Sequence, residues 1–345
     1  MDNQERSKGV GLTKNVILFI LSLVVALVLA EALTRLFVPV RNVGALFTVN
    51  DPVMGKRIKK NFHTVRVTPE FTMTFTSNSL GFRGPEPDPQ STNSILFIGD
   101  SFTMGFGVND GEEFPALIKV KLDEALGRNA VNVVNTGMGN NGNGRWIKLL
   151  NNEADQFKPR LVVLQVMAND FEDNVKEGYF SVSNSGTLSE LPIKTSKVKF
   201  LEPFLDNFPG LSNSYFYSLI RQSLATYSDI GMNDAASREG VDYADRLTER
   251  LIAEAVSICQ KKGYPVFAIM VGLEDSRLSR IQAIFHTHQV PTLVIPTKTE
   301  RADLYYKIDG HWNREGHAFV ARALFEQLQS LNFTQKLAER GSVVR

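Results

Sequence analysis

The sequence predicts a three-layer α/β/α sandwich built on about five parallel strands. Three observations carry that reading. From residue 94 onward, short apolar runs alternate with helix-period stretches, the pattern that βαβ units around a parallel sheet produce. Stretches with a period of two stand before residue 94, where they mark a β-rich lead-in apart from the sandwich. A long uncharged apolar run stands by itself near the N-terminus.

That run, Val16 to Ala30, is almost wholly Leu, Val, Ile, Phe and Ala. It falls short of the roughly 20 residues of a spanning helix, but Ala32, Leu33, Leu36, Phe37 and Val38 extend its apolar face past Glu31 and Arg35. Both charged side chains are long enough to snorkel. A signal anchor is the expectation, and a cleaved signal peptide ending near Val28-Leu29-Ala30 is the alternative. Either one exports everything after residue 40. Arg6, Lys8 and Lys14 before the segment, against Arg35 and Arg41 after it, favour an inside N-terminus slightly. A buried core helix is the bland reading, and it would need wrapping on every side.

Residues 41–93 contain Thr64-Val65-Arg66-Val67-Thr68 and Phe71-Thr72-Met73-Thr74-Phe75-Thr76, whose alternation marks half-buried strands. They close on Leu80-Gly81-Phe82-Arg83-Gly84 and a proline-rich turn. A short β-rich lead-in beside the main domain is expected.

Strands are then expected at Ser94–Gly99, Val131–Asn135, Leu161–Val166, Val266–Val271 and Thr292–Ile295. Helices are expected near Phe114–Leu126, Arg145–Phe157, Tyr243–Lys262, Ser276–His286 and Glu315–Leu331. Between 171 and 236 periodicity is poor and aromatics cluster, as in Phe200, Phe204, Phe208, Tyr215, Phe216 and Tyr217. A partly helical cap over the site fits such a stretch. The organisation is therefore 1–40 as anchor or signal segment, 41–93 as lead-in, and 94–335 as the main domain with the insertion.

Composition excludes some partners. The 38 basic and 37 acidic residues nearly cancel, to +1, so no single-sign field is available to attract nucleic acid or other polyanions. The lone cysteine, Cys259, lies among apolar neighbours and reads as a small buried side chain.

The strand Ile95–Gly99 delivers Asp100-Ser101 to the carboxyl edge of the sheet just before a helix, where open α/β sheets bind ligands. Position alone is ambiguous, because a serine at a helix start is often an N-cap, and the segment lacks a Gly-x-Ser-x-Gly elbow. Asp309-Gly310-His311 at the start of the last helix changes that weighting. An imidazole can take the proton of a serine, and a carboxylate on its other nitrogen fixes the tautomer. His317 fits packing better than catalysis. His63, His286 and His288 have no such company, and with no cysteine or acidic cluster beside them they nominate no metal.

Acyl transfer also needs donors for a developing oxyanion. The glycine-rich turn Asn135–Gly144 after the second strand offers a backbone amide, with Gly139 the choice and Asn140 or Gly142 the other registers. Met167-Ala168-Asn169-Asp170 after the third strand offers Asn169. Taken singly, each is ordinary turn or cap chemistry.

Together these segments resemble the SGNH (GDSL-type) hydrolases, whose ordered blocks supply Ser, Gly, Asn and His. Gly99-Asp100-Ser101-Phe102-Thr103 matches the first block, Asn169-Asp170 the third and Asp309/His311 the last. The resemblance runs from about residue 77, including Asn78–Gly84, to about 330. The short Asp-x-His spacing is similar to the alginate O-acetyltransferase-like branch, and Met167 stands where the third block usually has glycine.

The resemblance implies Ser101 as nucleophile, His311 as base and then acid, and Asp309 as its orienter. It implies the Ser101 and Gly139 amides with Asn169 as the oxyanion site, Asp100 as a structural residue, and no metal or organic cofactor. The expected substrate is an acyl ester, O-acetyl above all, on an extracytoplasmic carbohydrate or lipid. The alternatives are an O-acetyltransferase of cell-surface polysaccharide and a non-catalytic envelope glycan-binding module.

Overall fold

The computed structural model describes residues 2–193, 208, 210–224 and 240–341. Helix α1 (Asp2–Phe37) contains the apolar run. Within Lys14–Phe37 an apolar stretch reaches a mean hydropathy of 2.9 with none of that stretch buried, and the buried residue of the segment is Thr34. The core-helix reading therefore fails, while the segment is long and apolar enough to cross a membrane, a test that a signal sequence also passes.

Two antiparallel hairpins follow. Strands β1 (Thr48–Asp51) and β2 (Gly55–Ile58) form the first, which the sequence reading left unassigned, and β3 (His63–Val67) and β4 (Thr72–Thr76) form the second. The connection Thr68-Pro69-Glu70-Phe71 is held by the Thr68 hydroxyl, which accepts from the Glu70 and Phe71 amides at 3.2 and 3.0 Å.

The main sheet contains β5 (Ser94–Ile98), β6 (Asn132–Asn135), β7 (Pro159–Met167), β10 (Val266–Val271) and β11 (Thr292–Ile295), all parallel, in the order β6-β5-β7-β10-β11. Between them run α2 (Ser101–Met104), α3 (Phe114–Leu126), α4 (Gly144–Asn152) and α5 (Asp170–Glu177). The hairpin β8 (Phe180–Val182) and β9 (Leu188–Glu190) comes next, then α6 (215–224), α7 (Val241–Lys261), α8 (Asp275–Thr287), α9 (Arg314–Ser330) and α10 (Phe333–Gly341).

Alternation along each strand sends side chains to opposite faces. Leu96, Ile98, Leu164 and Met270 pack with α4, α7 and α8, whereas Ile95, Phe97, Val163 and Ile269 pack with α3, α9 and α10. The three-layer sandwich expected from the sequence is the fold.

Boundaries differ where local chemistry intervenes. The helix expected over Arg145–Phe157 stops at Asn152, whose side chain donates to the Lys148 carbonyl at 2.7 Å, a bond that competes with helix continuation. A separate 3-10 turn covers Ala154–Phe157. Helix α10 was not anticipated. Of the expected cap, residues 194–207, 209 and 225–236 lie outside the described residues. Its described helix, α6, bonds to α1 and to residues 42–44.

Candidate active site

In this strand order the chain leaves β5 toward one side of the sheet and returns to build on the other, so the topological switch falls between β5 and β7. That is where open α/β sheets form their binding crevice. Ser101 leaves the end of β5, and Asn169 leaves the end of β7.

At Ser101 the N-cap is Asp100, not the serine. Asp100 Oδ1 accepts from the Phe102 amide at 2.9 Å, which frees the serine hydroxyl from capping. His311 Nε2 lies 2.7 Å from Ser101 Oγ, and His311 Nδ1 lies 2.5 Å from Asp309 Oδ1. With the carboxylate accepting at Nδ1, the ring hydrogen sits there and Nε2 is left to accept from the hydroxyl. Burial pushes the Asp309 carboxyl upward, but hydrogen bonds from the His311 ring and amide outweigh it and hold the group below its ordinary value. Asp309 is therefore an anion at neutral pH. The imidazole is wedged between Phe102 and Phe106, with ring centroids 4.8 and 5.0 Å away.

Gly139 stands against the nucleophile: a Cβ added there would lie 3.5 Å from Ser101 Cβ. Gly142, the other glycine register, gives its amide to Glu177 Oε2 at 3.0 Å and packs on Asn174. Asn169 occupies the N-cap position of α5 without capping it. Its Nδ2 donates to Asp173 Oδ2 at 2.8 Å, which fixes the amide plane and leaves a second N–H available. No bond joins Asn169 to Ser101 directly among the described residues.

Below these loops lies a buried polar layer. Asp170 accepts from the Met167 amide at 3.0 Å and from Asn143 Nδ2 at 2.8 Å, and Asn143 is bonded in turn to Asn174 at 2.9 Å. Burial drives the Asp170 carboxyl well above its ordinary value, reinforced by the neighbouring Asp100, and burial brings Asp100 up to about 6. Burial raises a carboxyl in this way because it disfavours the charged form.

The other histidines stand apart from Ser101 and Asp309, and His286 is exposed on α8. His317 is buried, stacks on Phe114, accepts from the Phe114 amide at 3.2 Å, and is driven by burial down to about 3, so it stays neutral. His288 bonds Gln260 and His63 bonds Thr76. Cys259 is buried, which pushes its thiol up to about 12.

Two lead-in residues support the site, and sequence reading gave neither a role there. Glu70 Oε2, at the β3–β4 turn, accepts from the backbone amides of Ile308 and Asp309 at 2.8 and 2.6 Å. Arg83, its side chain fully buried, donates to the carbonyls of Thr74, Met104 and Val108 at 2.8 to 3.1 Å. The first residue clamps the loop that carries the carboxylate and imidazole, and the second clamps the exit of the nucleophile helix. Arg83 had a sequence cue in the Asn78–Gly84 segment. Glu70 had none.

A family model described as GDSL-like lipase/acylhydrolase matches residues 95–324. No curated protein matches the chain. Among solved structures, it is similar to a catalytic mutant of an acetylxylan esterase from Geobacillus stearothermophilus, at 16% identity over 69% of this chain and 94% of that one, with a TM-score of 0.40. It is also similar to a GDSL-like lipase from Bacteroides thetaiotaomicron, at 11% identity over 72% and 93%, with a TM-score of 0.39. A two-domain esterase active on acetylated mannans matches at 12% over 71% of this chain and 49% of that one, with a TM-score of 0.40.

Proposed function

The chain belongs to the GDSL-like lipase/acylhydrolase family, and from that premise we propose that it hydrolyses an acyl ester through an acyl-Ser101 intermediate on the outer side of a membrane. The observation that carries this reading is the bonded series Ser101–His311–Asp309. Ser101 Oγ attacks the acyl carbonyl as its proton passes to His311 Nε2. The new oxyanion lies toward the Ser101 and Gly139 amides and the free N–H of Asn169. Collapse breaks the ester C–O bond, and the departing alkoxide takes the proton from Nε2. Water then repeats the sequence, with its proton going to Nε2 and on to Ser101 Oγ as the acid leaves. Asp309 holds the ring in one tautomer throughout and balances the imidazolium.

The domain organisation follows: 1–40 as membrane segment, 41–93 as a lead-in that braces the catalytic loops, and 94–335 as the hydrolase domain. Support for an external site comes from the slight excess of Arg6, Lys8 and Lys14 before the apolar run over Arg35 and Arg41 after it, which favours an inside N-terminus. An O-acyl group on an envelope glycan or lipid is the substrate class that such placement suits. Product partition tests the reading. Full-length protein in detergent, given an acetylated glycan, should release free acetate, with Ser101→Ala inactive. Acetyl recovered on an added glycan acceptor instead would make it a transferase, and turnover that persists in Ser101→Ala would overturn the mechanism.

A further inference from the structure

Helix α6 is built inside out. Ser214, which opens it, and Ser218, Arg221 and Gln222 recur at a spacing that puts them on one face, and that face is turned inward. The Ser214 hydroxyl donates to Glu31 at 2.7 Å, Ser218 is 0% exposed, Arg221 Nη2 donates to the Gly44 carbonyl at 3.0 Å, and Gln222 Nε2 donates to the Asn42 carbonyl at 2.7 Å. Phe216, Ile220 and Leu224, at intervals of four, fall on the opposite face: Phe216 is half-buried, Ile220 43% and Leu224 65% exposed, and the exposed Ser223 beside them turns its hydroxyl back onto the Leu219 carbonyl at 2.9 Å. A helix on a water-facing surface carries the reverse arrangement.

The helix is also tied to α1 inside its apolar span. The Tyr215 and Phe216 amides donate to the Glu31 carboxylate at 3.1 and 3.0 Å, Arg35 Nε donates to the same group at 2.6 Å, and the Arg35 guanidinium lies 4.8 Å from the Tyr215 ring centroid. A hydrocarbon layer of about 30 Å takes about 20 helical residues, which counted from Lys14 ends near Leu33 and Thr34. Glu31 thus meets α6 about one helical turn inside the outer boundary. Beyond it, Leu36 and Phe37 are each 74% exposed.

We propose that α6 is a second membrane contact: an interfacial helix whose Phe216–Ile220–Leu224 face rests in the acyl-chain region of the leaflet that α1 crosses. The occupant of this face is lipid. The tie of α6 to Glu31 within the exposed apolar helix α1 and the polar inner face decide for lipid over a protein partner. The inference rests on reading α1 as a membrane span. Its consequence reaches the active site, because residues 42–44, which α6 grips, lead to the Val43–Val67 pairing and so to the hairpin that carries Glu70. Seating α6 in the leaflet fixes how Ser101 faces the membrane surface.

The test uses full-length protein in phosphatidylcholine/phosphatidylglycerol vesicles, with single cysteines carrying an environment-sensitive fluorophore at Leu224→Cys, Ile220→Cys, Leu23→Cys in α1 and Ser330→Cys at the far end of α9. Cys259 is buried and stays unlabelled. Blue-shifted emission at 220, 224 and 23 but not at 330, with quenching by lipids spin-labelled near the headgroup end of the chain at 220 and 224 and by lipids labelled near the methyl end at 23, is the expected result. A lipid-buried 23 with 220 and 224 as water-exposed as 330 overturns the α6 proposal alone. Water exposure at 23 overturns the membrane reading of α1 and the proposal with it.

Discussion

Removing the Glu70 carboxylate should impair catalysis without touching a reacting atom. Its Oε2 accepts two amide hydrogens, from Ile308 and Asp309, and hydrogen bonds to a charged acceptor contribute about 1.5–3 kcal/mol each. Glu70 is half-buried, so the lower end applies, and the pair together is worth about 3 kcal/mol, or a factor of about 100. Part of the loop's order survives the loss. Tyr306 stacks on Phe71 at 4.6 Å, its hydroxyl donates to the Gly107 carbonyl at 2.8 Å, and its amide donates to the His311 carbonyl at 2.9 Å. Glu70→Ala should therefore lower kcat about tenfold to a hundredfold with KM little changed, because the displaced group is the Asp309–His311 pair and not a substrate contact. Glu70→Gln, which keeps an acceptor oxygen, should recover most of that. Steady-state kinetics on a soluble aryl acetate, beside a melting curve showing an intact fold, reads the effect. A folded Glu70→Ala with unchanged kcat, or one whose entire loss sits in KM, would refute the positioning role.

Other perturbations separate the parts of the site. Asp309→Asn should fold normally and cost about a thousandfold to ten-thousandfold in kcat, as loss of a tautomer-fixing carboxylate does; a loss below tenfold would remove Asp309 from the mechanism. Gly139→Ala places its Cβ 3.5 Å from Ser101 Cβ, an ordinary contact, whereas at Gly142 a Cβ would lie 2.4 Å from Asn174 Oδ1 and 2.8 Å from its amide nitrogen. The first should keep its melting temperature and lose activity, the second should lose stability, and the opposite pattern would move the oxyanion amide off Gly139. Burial raises Glu177 from its ordinary 4.5 to about 8. Across that window the unfolded chain has released a proton that the folded protein keeps, so stability falls as pH rises, by up to about 1.4 kcal/mol per pH unit for this group. Glu177→Gln should raise the melting temperature more at pH 8 than at pH 5, and an equal change at both would contradict this.

The strands and helices of the sandwich were legible because each buries a regular face. Phe114–Leu126, Val266–Val271 and Thr292–Ile295 fall where periodicity placed them. The β8–β9 hairpin has three residues per strand, too few to establish a period of two. Strands β1 and β2 are largely polar and half-exposed, so they carry little alternation. The stretch containing α6 showed no core-facing period because its inward face is polar, with Ser218 buried and Ile220 and Leu224 exposed. At the site, Ser101, Asp309 and His311 were nameable from their order and spacing, since nucleophile, base and orienter are distinctive residue types. Glu70 was not, because a carboxylate accepting amides 238 and 239 residues away leaves no local pattern. Nor did the sequence distinguish Asp100 from Ser101 as the cap, a choice made by burial of the aspartate beneath the sheet edge.

The most direct measurement of whether Ser101 is an activated nucleophile is intact-mass analysis of the protein after treatment with a fluorophosphonate. The hydroxyl bonded to His311 at 2.7 Å should form a single adduct per chain, slowed strongly in His311→Ala and abolished in Ser101→Ala. A folded wild-type protein that takes up no adduct, or an adduct that persists in Ser101→Ala, would contradict it.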